Sequence, residues 1–152
     1  MADDDDDDYQ VTKKAFGSLS LPNRFYRVKD GEELMDYLLG RGKYGDPKQA
    51  PMPDIILLDL NMPRKNGHEV LKEISNHEAL KMIPVICLSV SHDPEVIQTT
   101  YRLGANAFIK KAVSFDQLMV IVESLSHFWL SIAALPNTND IRKEQQYSEA
   151  TE

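Results

Sequence analysis

A single cysteine, Cys87, stands among 152 residues, so the chain cannot form an internal disulfide. It lies in the apolar run Ile83-Pro84-Val85-Ile86-Cys87-Leu88 and reads there as a small buried hydrophobe. Long apolar runs are missing too. None approaches the roughly 18 residues that would span a bilayer, and the acidic start is the opposite of a signal peptide's basic leader. Positive charge is scarce: 17 Lys and Arg against 24 Asp and Glu leave a formal charge of −7, which argues against neutralising a nucleic-acid backbone. The four histidines are scattered and lack the spacing of zinc ligands. After Leu135 only a short polar stretch follows, too small for a DNA-binding unit. What is left is a cytoplasmic globular protein, 42% hydrophobic and 27% charged, of a size for one domain with one core.

Apolar segments alternate with amphipathic ones along the chain. The pattern predicts a helix over 6–18, with an acidic first turn that suits the helix dipole, and a strand over 24–29 carrying Phe25, Tyr26 and Val28. Asp30 and Glu33 form a capping box that opens a second helix running to Leu39, and a long Gly- and Pro-rich connection covers 40–53. The run Pro53-Asp54-Ile55-Ile56-Leu57-Leu58-Asp59 reads as a buried parallel strand ended by Pro63 and Asn66-Gly67. A helix over 67–76, a strand over 84–89, and a helix capped by Asp93-Pro94 and closed by Gly104 follow. A strand over 106–110 and a long final helix over 114–135 complete the series, and 136–152 is expected to be a disordered polar tail. Strands alternating with helices imply a doubly wound α/β sandwich around a parallel sheet, whose strand order the periodicity leaves open. Only Met1 and Ala2 precede the aspartate run, so a first strand would be truncated at Met1, and apolar residues are expected to precede it.

The strand tips carry the chemistry. Asp3 and Asp4 follow the first strand, Asp59 ends the third, Ser89 the fourth, and Lys111 follows the fifth, all at the carboxyl edge where ligands gather in open α/β sheets. Adjacent carboxylates repel unless a cation or proton intervenes, and oxygen ligands suit a hard divalent ion such as Mg²⁺. Lys111 supplies a compact positive charge and Ser89 a hydroxyl, both suited to phosphoryl oxygens. A carboxylate nucleophile with metal, lysine and hydroxyl describes phosphoryl transfer to Asp59. Asp5 to Asp8 read as solvated charges at a helix start, with Asp8 a candidate cap. The stripe Phe115, Leu118, Val122, Leu125, Trp129, Ile132 reads first as core packing. Its far end, from Phe128 and Trp129 through Ile132 to Leu135, overruns a sheet of short strands and suggests a partner surface.

Four segments taken together resemble the receiver domain of two-component response regulators over about residues 1–135. They are Ala2-Asp3-Asp4-Asp5, Pro53-Asp54-Ile55-Ile56-Leu57-Leu58-Asp59-Leu60-Asn61-Met62-Pro63, Pro84-Val85-Ile86-Cys87-Leu88-Ser89 and Gly104-Ala105-Asn106-Ala107-Phe108-Ile109-Lys110-Lys111. Phe128-Trp129-Leu130 through Leu135-Pro136, and the long loop before Pro53, further resemble stand-alone receivers paired with phytochrome-like histidine kinases. The resemblance implies a five-stranded sheet in the order 2-1-3-4-5. It implies Asp59 as phosphoacceptor, Asp4 as direct Mg²⁺ ligand, Asp3 acting through water, and the Asn61 backbone carbonyl as a further ligand. Ser89 and Phe108 match the switch pair, and Lys111 the lysine that meets the phosphate. The implied protein is not an enzyme on other substrates but a signalling module with a histidine kinase partner, and a homodimer through the final helix is expected. In place of the family's usual proline after that lysine stands Ala112, and a cis Lys111-Ala112 peptide is the expected shape. The alternative is an Mg-dependent aspartyl-phosphate phosphatase of haloacid-dehalogenase type, but the position of its second aspartate holds Asn61. A flavodoxin-like cofactor binder would need a phosphate-cradling loop where the aspartates stand.

Overall fold

The computed structural model describes residues 1–149. Three parallel strands form its sheet: β1 (Ile56–Asp59), β2 (Val85–Ser89) and β3 (Ala107–Lys110), hydrogen-bonded in that order. The register pairs Leu58 with Cys87 and Cys87 with Phe108. Beyond β1, Ala2 makes single parallel bridges to Leu58 on one side and Val28 on the other. Its N–H donates to the Leu57 carbonyl at 2.8 Å, and Val28 N–H donates to the Met1 carbonyl at 3.0 Å. The strand expected over 24–29 is thereby reduced to a bridge at Val28, because only the short stretch from Met1 to Asp3 lies beside it, Asp3 N–H donating to the Val28 carbonyl at 3.1 Å.

Alternation along β1 explains the layers. Ile56 and Leu58 join the larger core with Leu34, Leu38, Val70, Leu71 and Ile74, while Leu57 faces the other way with Ala15, Phe16, Val122 and Leu125. Helices α2 (Gly31–Leu39) and α3 (Gly67–Asn76) thus cover one face; α1 (Asp6–Gly17) and α5 (Phe115–Ser126) cover the other. Helix α4 (Pro94–Arg102) lies between β2 and β3 in the chain, and its Val96 packs against the first core. Both faces of β1 are buried, which is why its sequence is a continuous apolar run rather than an alternating one.

The caps form as their chemistry dictates. Asp30 accepts from Glu33 N–H at 2.9 Å, while a Glu33 carboxylate oxygen accepts from Lys29 N–H at 2.7 Å. Asp93 caps α4 ahead of Pro94, and Gly40 closes α2 in the left-handed conformation, φ 66°. His68 is tied to Thr100 at 2.8 Å, a structural use of a histidine.

Gly67 sits where no side chain fits. A Cβ there would lie 2.7 Å from both the Asp59 carbonyl oxygen and Leu60 Cα, and both obstacles are backbone. Gly67→Ala should therefore push α3 off the tip of β1 and cost about 2–3 kcal/mol in urea unfolding.

Two expectations for the end of the chain are corrected. The final helix does not run regularly over 114–135: α5 widens into a π-helical segment, His127–Ile132, and stops before Ala133. The tail is not disordered through its described part. It forms α6 (Asn139–Glu149), whose Ile141 is buried in the larger core and whose Arg142 guanidinium donates to the Tyr37 carbonyl at 3.1 Å. One apolar residue in a polar segment supplies the anchor that composition alone did not reveal. Residues 150–152 lie outside those described. No described helix is long and apolar enough to cross a membrane.

Candidate functional site

The carboxyl ends of the parallel strands place the site. Asp59 is the last residue of β1, Ser89 the last of β2, Lys111 the first after β3, and Asp3 and Asp4 follow the bridge at Ala2. One carboxylate oxygen from each of Asp3, Asp4 and Asp59 lies within 4.8 Å of the others. Asp3 and Asp59 are buried, whereas Asp4 is exposed and opens the cluster to solvent. The Lys111 ammonium reaches all of its neighbours at once: 2.7 Å from Asp8, 3.2 Å from Asp3 and 3.4 Å from Asp59.

Hydrogen bonds fix the rims of this cluster. Asp59 Oδ1 accepts from Asn61 N–H at 3.2 Å, leaving Oδ2 toward the lysine. The Asp59 N–H donates to the Ala2 carbonyl at 3.0 Å, and Lys111 N–H to the Ser89 carbonyl at 2.8 Å. Ser89 is buried, and its hydroxyl oxygen accepts from Ser91 N–H at 3.1 Å. Phe108 is half-buried one strand over, against the larger core. The Lys111–Ala112 peptide is trans, as are all the described peptide bonds, so the cis expectation is corrected. A cis bond before a residue other than proline costs about 2.5–4 kcal/mol, and the trans chain already brings Lys111 to the aspartates.

Electrostatics mark the site as short of positive charge. Burial, joined by the Asp3 charge, pushes the Asp59 carboxyl up to about 6 despite Lys111 beside it. Burial likewise raises Asp3. Burial works against the Lys111 ammonium, but its hydrogen bond to Asp8 and the charges of Asp59 and Asp3 outweigh it and push the lysine up. Cys87, raised to about 12 by burial, is no nucleophile. Three convergent carboxylates, two of them buried and with one lysine among them, are a donor set that fits a hard divalent cation with open positions.

The aspartate run resolves into separate tasks. Asp5 rather than Asp8 caps α1, accepting from Asp8 N–H at 2.9 Å. Asp6 pairs with Arg27 at 2.6 Å, and Asp8 with Lys111. Asp8 is the site neighbour that the sequence reading left in solvent. The available signal was its place three residues after the Asp5 cap, in the first turn of the helix. The apolar end of α5 lies elsewhere. Phe128 and Ile132 are 50% and 62% exposed, while Trp129 and Leu135 are half-buried, Trp129 packing beside the α1–α5 core and edge-on to Phe128 at 5.1 Å.

A parallel sheet sandwiched by helices, with acidic strand tips facing a lysine after the last strand, defines the receiver class. Residues 1–123 match the response regulator receiver domain family, and the chain belongs to it. Among curated proteins it is similar to the response regulator Rcp1 of Synechocystis sp., at 32% identity over 90% of both chains. Among solved structures it is similar to the phosphorylated cyanobacterial phytochrome response regulator RcpA, at 40% identity and a TM-score of 0.83, covering 90% of this chain and 95% of that one. It is also similar to RPA3017, a response regulator in red light signaling of R. palustris, at 36% identity and a TM-score of 0.85, with coverage of 90% and 95%. Rcp1 itself has been solved in a Mn²⁺-bound form, which matches this chain at 32% identity and a TM-score of 0.80, covering 89% of this chain and 95% of that one.

Proposed function

We propose that this protein is a single-domain response regulator that accepts a phosphoryl group from a histidine kinase onto Asp59. The observation that carries the reading is the convergence of Asp3, Asp4 and Asp59 on one point with Lys111 Nζ 3.4 Å from the acceptor carboxylate. Asp59 Oδ2 forms the new bond to phosphorus as the phosphohistidine nitrogen leaves. Asn61 N–H holds the other oxygen and keeps the carboxylate aimed. Lys111 and the Ser89 hydroxyl meet the phosphoryl oxygens, where fixed donors stabilise developing charge. Asp3, Asp4, Asp59 and the Asn61 carbonyl would hold Mg²⁺, which offsets the negative charge of acceptor and donor. A cation held there would also offset the burial and the Asp3 charge that together push Asp59 up to about 6. That Rcp1 has a Mn²⁺-bound form supports a divalent ion in this protein. The two Ala2 bridges support the strand order 2-1-3-4-5. Intact-mass analysis after incubation with acetyl phosphate tests the reading: one phosphoryl group in Mg²⁺ and none in EDTA is expected, and no gain in either would overturn it.

The phosphatase alternative is disfavoured by Asn61, which is exposed and offers no acid–base carboxylate two residues after Asp59. Phytochrome relatives support a phytochrome-like kinase as donor. Output then passes through protein contact. Phosphate on Asp59 draws Ser89 inward and lets Phe108 follow, changing the face of α4, β3 and α5. The exposed Phe128 and Ile132 at the end of α5 support a homodimer there. Trp129→Ala should shift the protein toward monomer by sedimentation while phosphorylation continues. Because Trp129 also packs beside its own core, Phe128→Ala is the cleaner probe. A wild-type protein that stays monomeric at high concentration, with or without phosphate, would exclude the dimer.

A further inference from the structure

Asp8 is the nearest carboxylate to Lys111, closer than the proposed acceptor itself. Its position in α1 explains why it is free to be there. With Asp5 as cap, Asp8 is the third residue of the helix, where an acidic side chain ordinarily turns back to the cap residue's N–H. That N–H is already taken: Asp5 N–H donates to Asp3 Oδ1 at 2.9 Å. The Asp8 carboxylate is thus released from capping and turns to the lysine. It is also the partner of Lys111 that lies outside the Asp3, Asp4, Asp59 cluster.

We propose that Asp8 is a positioning residue that holds Lys111 in reserve, competing with the phosphoryl group on Asp59 for its ammonium. The inference rests on the phosphoacceptor reading. A cation bound by Asp3, Asp4 and Asp59 would take up the charge that Asp3 and Asp59 now share with Lys111, and Asp8 keeps the ammonium beside the site. A phosphoryl group on Asp59 must then draw Lys111 from a contact of 2.7 Å. Asp8 so limits how strongly phosphate is retained, while ensuring that the lysine is at hand when phosphate arrives.

The test is equilibrium binding of beryllofluoride, a stand-in for the phosphoryl group, at saturating Mg²⁺ by calorimetry. A half-exposed ion pair is worth up to about 1 kcal/mol, so Asp8→Asn should bind the probe about three- to fivefold more tightly than wild type. Asp8→Glu should restore wild-type affinity. In a Lys111→Ala background Asp8→Asn should change nothing, which separates competition for the lysine from the mere loss of a nearby negative charge. Unchanged or weaker binding by Asp8→Asn, or the same gain without Lys111, would overturn the inference. A lower melting temperature with wild-type binding would mean that Asp8 serves only α1. A wild-type protein that does not bind the probe at all would overturn the phosphoacceptor reading and this inference with it.

Discussion

Asp59→Asn should take up no phosphate from acetyl phosphate or from a phosphorylated histidine kinase, at any Mg²⁺ concentration. The effect is all-or-none because an amide nitrogen or oxygen cannot replace the carboxylate as nucleophile, and Asp59 is the carboxylate that ends a strand of the sheet. Asp3 is buried and held by Asp5 N–H and Lys111; Asp4 is exposed; Asp8 is engaged at the mouth of the site. Asp59 has one oxygen fixed by a backbone N–H and the other turned to the lysine, and Asp3, which shares that pair of contacts, is sealed from solvent and lies nearer the lysine, at 3.2 Å against 3.4 Å. Intact mass checks this directly, and phosphate retained by Asp59→Asn would show that a neighbouring aspartate is the acceptor.

The same substitution should stabilise the metal-free protein. The buried Asp59 carboxyl titrates near 6 in the native state, above the usual value of about 3.9 for an unfolded chain. Between those values the native state holds a proton that the unfolded chain has released, so the Asp59 contribution to stability falls as pH rises through that window. Asp3 is raised in the same direction. Glu33 behaves oppositely. Burial works against its charge, but bonds from Lys43, Tyr44 and Lys29 N–H hold it down at about 2, and it adds stability above pH 4.5 that is lost toward pH 2. The difference between variant and wild type isolates Asp59 from such groups. In EDTA at pH 7.5, urea unfolding should find Asp59→Asn more stable by about 1–3 kcal/mol, with the difference vanishing by pH 4. Saturating Mg²⁺ should remove or reverse the gain, since the cation stabilises only the intact cluster. Equal stability of the two proteins in EDTA at both pH values would contradict the charge imbalance drawn here.

The strand tips were legible because their signals are local. The apolar run ending at Asp59, the Asp93-Pro94 cap and the Asp30–Glu33 box each state an element boundary within a few residues, and each stands where the pattern put it. Bringing Asp3, Asp4, Asp59 and Lys111 together then follows from parallel strands ending at one edge. What escaped depends on contacts distant in sequence. Asp8 earns its role through a lysine 103 residues away, and Ile141 anchors a polar helix by entering a core made by other segments. The widening of α5 at His127 has no residue signature that periodicity could detect. The trans Lys111–Ala112 bond shows the reverse error, a family habit carried to a position whose own residue does not support it.

The most direct test of the central claim is to locate the phosphate chemically. Wild-type protein phosphorylated by acetyl phosphate in Mg²⁺ is reduced with borohydride, which converts an aspartyl phosphate to homoserine, and the product is mapped by peptide mass spectrometry. The account predicts homoserine at position 59 alone, and none when EDTA is present during phosphorylation. Homoserine at position 3, 4 or 8, or none after a phosphorylation that intact mass has verified, would contradict it.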